Sequence, residues 1–429
     1  MKKILIALVL VTAFGAHPGK ISLVPAAAAE EDAGSSRVRR TQTMRPEIYK
    51  KLEEARDVAD NGDTAGALEL LQKLESRKRN SYETAMTHSI YAYVYSMAER
   101  YDDATREYET ILGIAQAPDS LRQTTRFTLA QLYMMQEKYS DALKTLNTWM
   151  ESSEKAGADS YVLRAQIEYQ MEAFPASLKD IQTALNLRRQ AGSVPQENWL
   201  LLERAALFQM KDYKGLAQNL EALVANYPKS EYWVQLAAVY NELGAPKKEL
   251  ATLETAYDQK MLTKENELIN YAQALLGMDI PYKAGQVLSK GMKDGVVEES
   301  ARNLSLLGDA WMLAKEYDSA IVAMTKAAQE SGKGLDYFKL AQIYTQRQEW
   351  TQALDFADKA LDSGDLKLPS QALIIKGLAQ FNLDRLESAA ATFFQAGRYP
   401  EAEKTAHQWQ DFIESEQQRR EYIAAASDN

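Results

Sequence analysis

No cysteine occurs anywhere in the 429 residues. That excludes disulfides, thiolate nucleophiles and cysteine-held metals, and it speaks against a cysteine-linked lipid anchor, so the chain must keep its fold by packing alone. Histidine is nearly as scarce: His17, His88 and His407 are the three present. A zinc site needs three or four converging nitrogen or sulfur ligands, and a Ser-His-Asp triad would have to recruit one of these few imidazoles. No catalytic or metal-ligating residue is therefore assigned. A glycine-rich phosphate loop is missing too, because Gly332-Lys333-Gly334 lacks the upstream glycine and the strand such a loop needs. No cofactor is implied, and with no sustained period of two there is no sheet to expect.

What the chain does have is a repeat. Small residues recur at Ala55, Ala92, Ala130, Ala165, Ala237, Ala272, Gly308, Ala341 and Gly377, with Arg204 the exception in the series, at spacings of 33 to 39 residues. Twelve positions after each comes a second series: Ala67, Ala104, Ala142, Ser177, Leu216, Glu249, Ala284, Ala320, Ala353 and Ala389. Two antiparallel helices joined by a short turn approach to roughly 8 to 10 Å only where their crossing carries little side chain. Three positions before the second series stand mostly bulky residues or proline, among them Tyr101, Tyr139, Phe174, Tyr213, Pro246, Pro281, Tyr317 and Trp350. Proline fits the opening of a helix, where a missing N–H costs nothing. Apolar residues follow four and seven positions after the second small residue, as in Leu71 and Leu74 or Leu220 and Leu223, which is helical spacing. Arg204, Leu216 and Glu249 fit the pattern worst and predict a widened pair or an altered path in repeats five and six.

The stretch Trp233, Leu236, Ala237 and Tyr240 follows the W-x2-L-G-x2-Y pattern and resembles a tetratricopeptide helix. The expected fold is all-α: a TPR-type α-solenoid of about ten helix-turn-helix repeats in a right-handed superhelix, closed by a C-terminal capping helix. Four segments are expected: a signal peptide over 1–29, a flexible basic leader over 30–46, the repeat array over 47–400, and the capping helix with its tail over 401–429. The signal reading rests on Lys2 and Lys3, an apolar run of thirteen residues from Ile4 to Ala16, and an Ala-x-Ala site at Ala27 and Ala29. The run is short for a membrane span of about 20 residues, although a retained inner-membrane anchor stays as the alternative. In the last segment Trp409, Phe412 and Ile413 supply an apolar face to a helix otherwise loaded with charge, as the end of a repeat array requires.

The formal charge is −10, and removal of the three lysines of the signal would take it to −13. An acidic surface repels phosphate backbones, which argues against nucleic acid as a partner. Carboxylates are abundant, but an acid–base pair needs one carboxyl raised by burial in a cleft, and the acids fall mainly on exposed helix positions and in turns. A glycan-acting enzyme is thus the remote alternative, and no small-molecule substrate is expected. Protein binding needs no special residues. First helices of stacked repeats line one face, and in repeats two to four that face contains Met86, Tyr93, Met97, Phe127, Met134, Met135 and Tyr169. Methionine and aromatic side chains make an adaptable apolar groove, although the same residues would also fill gaps between neighbouring repeats.

Arg39-Arg40-Thr41-Gln42-Thr43-Met44, followed by Ile48-Tyr49, gives the chain a basic segment of the form basic-Thr-x-x-Met before its first helix. Together with the signal layout and the ten repeats, this resembles the periplasmic tetratricopeptide accessory proteins of TonB/ExbB/ExbD energy-transduction systems. The resemblance implies a periplasmic, non-enzymatic component that helps an inner-membrane complex power outer-membrane uptake of iron–siderophore or haem. It implies protein partners of the TonB/ExbB/ExbD type, peripheral association with the inner membrane, and a family-specific contact at Arg40, Thr41 and Met44. A periplasmic adaptor for cell-wall or secretion machinery is the alternative. The register itself is testable. Ala341→Asp puts an unpartnered charge into a helix crossing and should lower stability by more than about 3 kcal/mol in denaturant unfolding; unchanged unfolding would show the register to be wrong.

Overall fold

The computed structural model describes residues 43–152 and 156–427. The expected signal peptide and the leader through residue 42, including Arg40 and Thr41, lie outside the described residues. Those described form 21 helices and no strand, in two compact units divided between Tyr227 and Pro228. The first unit holds five helix pairs. They are α1 (Pro46–Asp60) with α2 (Thr64–Glu75), α3 (Ser81–Met97) with α4 (Tyr101–Gly113), and α5 (Asp119–Met135) with α6 (Tyr139–Ser152). They continue with α7 (Ala158–Gln170) and α8 (Phe174–Gln190), then α9 (Glu197–Gln209) and α10 (Tyr213–Asn226). The second unit opens with α11 (Ser230–Glu242) and α12 (Pro246–Asp258), α13 (Glu265–Gly277) and α14 (Pro281–Lys293), and α15 (Ala301–Leu313) with α16 (Tyr317–Ser331). It ends with α17 (Gly334–Gln346) and α18 (Trp350–Asp362), α19 (Pro369–Asn382) and α20 (Leu386–Ala396), and the long α21 (Glu403–Ser427). The ten pairs coincide with the ten repeats of the sequence.

Each bulky or proline residue ahead of the second small position turns out to be the first residue of a second helix, from Tyr101 of α4 to Leu386 of α20. The turn before it is the same in all ten pairs. Seven positions after the first small position lies a left-handed residue, with φ between 56° and 86°: Gly62, Glu99, Glu137, Glu172, Lys211, Gly244, Asp279, Lys315, Gln348 and Asp384. The next residue's N–H reaches back five positions to a carbonyl of the first helix, as in Arg100 to Tyr95 at 2.8 Å and Arg385 to Gln380 at 2.9 Å. This closure satisfies an orphan carbonyl at the helix end. Only two of the ten left-handed residues are glycine; elsewhere a side chain tolerates a conformation that costs about 1 kcal/mol or more. Repeats five and six, the poorest sequence matches, keep the same turn at Lys211 and Gly244. Leu216 is buried at its crossing, while the partly exposed Glu249 accepts a hydrogen bond from Asn241 Nδ2 at 2.8 Å.

The small residues do mark the crossings. Ala55, Ala92, Ala130, Ala165, Ala272 and Ala341 are fully buried, as are Ala67, Ala104, Ala142, Ala284, Ala320, Ala353 and Ala389 across from them. Where Ser177 replaces alanine, its hydroxyl donates to the Ala165 carbonyl at 2.7 Å, so no buried polar group is left unmatched. Four positions after the second small residue the second helix sends a side chain over the crossing: Leu71, Tyr108, Leu146, Ile181, Leu220, Leu253 and Leu288 in the pairs up to α13–α14. Over Gly308 and Gly377 lie Met324 and Phe393, both fully buried. Phe393 stacks in turn on Trp409 of α21, ring centroids 5.4 Å apart and planes within 5°. Ile413 of the same helix is buried against Phe393 and Ala389, so α21 caps the second unit. Phe412, expected on that apolar face, touches Phe381 but stays 52% exposed.

The two crossing glycines should respond differently to a methyl group. At Gly308 a Cβ would lie 2.5 Å from Met324 Cε, the free end of a flexible side chain. The gain of about 1 kcal/mol in helix propensity should then offset the crowding. At Gly377 it would lie 2.7 to 2.9 Å from three ring carbons of the immobilised Phe393, and overpacking of this kind costs about 1–3 kcal/mol. Gly308→Ala should therefore be near neutral in denaturant unfolding and Gly377→Ala destabilising. Phe393→Leu should cancel most of the second penalty in a double-mutant cycle; additive effects would refute the fit.

Candidate protein-interaction surface

The residues proposed for partner binding divide among three neighbourhoods. Met44, Met86 and Tyr93 pack around the cluster of Ile48, Leu52, Leu71 and Val94, which joins α1 and α2 to α3. Tyr93 is also held from its polar end, since its hydroxyl donates to Asp60 and the Arg56 guanidinium lies 5.5 Å above its ring. Phe127 and Met134 pack around Ala130, Leu146 and Ile167, between α5, α6 and α7, with Phe127 5.0 Å from the Trp149 ring. Tyr169 meets Phe174 edge to face at 5.3 Å. Met135 is partly buried, and Met97 is the most open of the set at 55% exposure. The structure thus brings the first three together and the next two together. Met86, Tyr93, Phe127 and Met134 are each engaged in packing between elements, and Met97 presents most of its surface to solvent.

Of the leader contact proposed from resemblance, Met44 is placed and Arg40 and Thr41 are not. Arg45, counted with the flexible leader, is built into the first repeat. Its backbone N–H and Nε donate to Glu83 Oε1 at 3.0 and 2.8 Å, and its Nη2 donates to Glu83 Oε2 at 2.8 Å and to the Lys78 carbonyl at 2.6 Å. Glu83 is fully buried at the third position of α3, where Asn80 caps the helix and the Asn80 N–H donates to Glu83 Oε2 at 3.0 Å. The Arg45 hydrogen bonds, against the opposing effect of burial, hold the Glu83 carboxyl at about 2.

The same device recurs in the second unit. Glu267, third in α13, accepts from Ser230 Oγ at 2.9 Å, and Asp336, third in α17, accepts from Ser305 Oγ at 2.9 Å. Both acids are buried, and both donors belong to the first helix of the preceding repeat. Glu83 and Glu267 also accept the N–H of the residue capping their helix, Asp336 accepts from Ser331 Oγ instead, and all three reach across to the neighbouring repeat. The spacing of Asn80 and Glu83 was the readable signal, because an Asn followed three residues later by Glu marks a helix start.

One carboxyl behaves in the opposite way. Glu168 in α7 is pushed up to about 7 by burial and by the nearby Asp180, with Arg164 and Lys179 pulling it down. Asp180 is itself engaged by Arg164, which donates through both Nε and Nη2. An acid raised by burial is half of what general acid–base chemistry needs, and its neighbouring carboxylate is spent on a guanidinium. His88, an isolated imidazole, lies 2.6 Å from Glu107 Oε2 through Nδ1. Among the described residues no group of three or more His, Asp or Glu is arranged to hold a metal ion, and no helix is long and apolar enough to cross a membrane.

The sequence matches no protein-family model and no curated protein. Solved structures give similarities of fold. A tetratricopeptide repeat protein from Parabacteroides merdae aligns with 66% of this chain and 93% of its own at 15% identity and TM-score 0.37. YrrB, described as a TPR protein with an unusual peptide-binding site, covers 44% of this chain and 90% of its own at 15% identity and TM-score 0.34. The APC/C hetero-tetramer Cut9–Hcn1 covers 86% and 84% at 12% identity and TM-score 0.33. Among the described residues the chain is an array of ten helix-turn-helix pairs and a closing helix.

The Arg45–Glu83 pairing has a definite pH signature. A carboxyl held near 2 in the fold and ordinarily at 4.5 contributes stability that is full above 4.5 and lost as pH falls from there toward 2. Glu83→Gln should therefore melt below the parent chain at neutral pH, and the gap between the two melting temperatures should close through this acid window. A gap independent of pH would show that the pairing does not couple to folding. Glu168 has the reverse sign: its ionisation weighs against the fold above about 7, and acid relieves it.

Proposed function

We propose that this chain is a periplasmic, non-enzymatic scaffold that binds protein partners and works with a TonB/ExbB/ExbD-type inner-membrane complex to support iron–siderophore or haem uptake. The observation that carries the scaffold is the repeated helix pair itself. Within each unit, five copies of one hairpin offer first-helix surfaces that can hold another polypeptide without a reactive centre. Support for export comes from the layout of residues 2–29, and support for the energy-transduction partner from the segment Arg39 to Met44. A basic arm on an acidic protein suits an acidic partner surface, where charge complementarity sets orientation and association rate.

Because Arg45 is fixed to Glu83, the arm that can be removed without touching the first repeat ends before Thr43. Deleting residues 37–42 should weaken association with a purified TonB/ExbB/ExbD complex from the same cell while the melting temperature stays unchanged. Met97→Glu, at the most open of the first-helix candidates, should also reduce capture without loss of helicity. Undiminished association by both variants would refute this reading of the surface. Unimpaired growth of a deletion strain on siderophore-bound iron would refute the uptake role.

A further inference from the structure

The second helices of repeats seven and eight, α14 and α16, flank a cleft of about 600 Å³ with α15 as its floor. Clefts that hold small ligands commonly span about 300–1,000 Å³ and are lined mainly by apolar side chains. The apolar lining here comes from Met292 of α14, Leu304, Leu307 and Trp311 of α15, and Val322 and Ala323 of α16. Leu304, Leu307 and Trp311 follow one another at three and four residues, so helical spacing sets them in one row along the floor.

Two departures from the repeat build this surface. Two positions after the second small residue every repeat has an exposed side chain, charged or amide in seven, among them Glu69, Lys144 and Asp355, and alanine in two. Repeat eight alone puts a branched apolar residue there, Val322, which is 62% exposed. One position after the second small residue, six repeats carry Leu or Ile, whereas repeat seven carries Gly285. The Trp311 ring takes the space so released, for a Cβ on Gly285 would lie 2.7 Å from it. Tyr282 meets the indole edge to face at 5.6 Å. A lone exposed valine needs no explanation, but one that shares a cleft with an indole, a methionine and two leucines does.

The charges stand at the two ends of this row. Lys293 ends α14 and Glu299 precedes α15, so both lie at the Leu304 end, where Lys326 Nζ joins Glu299 at 2.8 Å. Asp318, second in α16, lies at the Trp311 end and is held by Arg347. Both acids are thereby committed, while Lys293 is exposed and makes no ion pair among the described residues. Apart from these charges, the side-chain polar groups of the lining residues are those of Ser289, Ser319 and the Trp311 indole. They are too few to satisfy a peptide backbone, in which nearly every residue brings a donor and an acceptor. An alkyl chain needs none.

We propose that this cleft binds a medium-chain fatty acid. Its carboxylate meets Lys293, and its chain lies along Leu304, Leu307 and Trp311 beside Val322. From Leu304 to Trp311 the floor runs about 10 Å at about 1.5 Å per residue, the length of about eight extended methylenes. The cleft uses none of the residues proposed for partner binding, so it stands or falls separately from the scaffold.

The test is calorimetric titration of the whole chain with decanoate. Saturable binding of about one molecule per chain is expected, with octanoate about fifteenfold weaker because two fewer methylenes leave water. Val322→Glu should abolish binding. Glu69 occupies the matching position of α2, so the fold should tolerate the change, and circular dichroism checks that helicity is kept. Lys293→Ala should weaken decanoate about fivefold and leave decanol unaffected. No saturation at millimolar decanoate, or undiminished binding by Val322→Glu, overturns the proposal. Decanol bound as tightly as decanoate overturns the carboxylate contact at Lys293. Capture on phosphatidylglycerol vesicles that Val322→Glu abolishes, without binding of decanoate, overturns the free acid as occupant and gives the face to a membrane surface.

Discussion

The close approach of two helices at one point governs this molecule. At each crossing a backbone must come within reach of another backbone, and nearly every crossing therefore has alanine, serine or glycine on both sides. The turn cannot vary freely once that distance is fixed. Seven residues separate each first small position from a left-handed residue, and five more lead to the second. The reach-back hydrogen bond that closes the turn takes the same form in all ten pairs. Side chains such as Glu99, Lys211 and Asp384 adopt a conformation usually left to glycine because the packing on either side of the turn demands it.

Variation between repeats is then confined to matched pairs. Glycine at a crossing is met by a larger side chain from the second helix, Met324 over Gly308 and Phe393 over Gly377, so that the volume is conserved while its ownership changes. Polar exchange follows the same logic. Arg164 with Asp180 in repeat four becomes Glu203 with Asn219 in repeat five, and the second combination leaves hydrogen-bonding capacity unspent. Successive repeats within a unit are further tied at the starts of their first helices by the buried acids Glu83, Glu267 and Asp336. These bonds join residues 31 to 38 positions apart, which couples the stability of one repeat to the next.

The fold was readable because its constraint is local and periodic. Small residues at fixed spacing, bulky residues opening the second helices, and Pro46, Pro246 and Pro281 at helix starts all appear in the chain as text. The proposed first-helix surface was readable only as composition. Spacing places Met86, Tyr93, Phe127 and Met134 on first helices, but it does not say that their side chains turn into the seams between repeats while Met97 stays open. The leader shows the same limit, for Arg45 looks like one more basic residue of an arm until Glu83, 38 positions later, is brought beneath it.

The sequence by itself determined the number of repeats, the register of their crossings and the lack of thiol chemistry, because each depends on residues within one hairpin. Tertiary structure decided which acids are buried and paired, which methionines are exposed, and that Asn219 keeps a buried oxygen unshared. Those outcomes depend on contacts between residues brought together from different elements. Only the folded chain sets the distance, burial and hydrogen-bond competition that settle them.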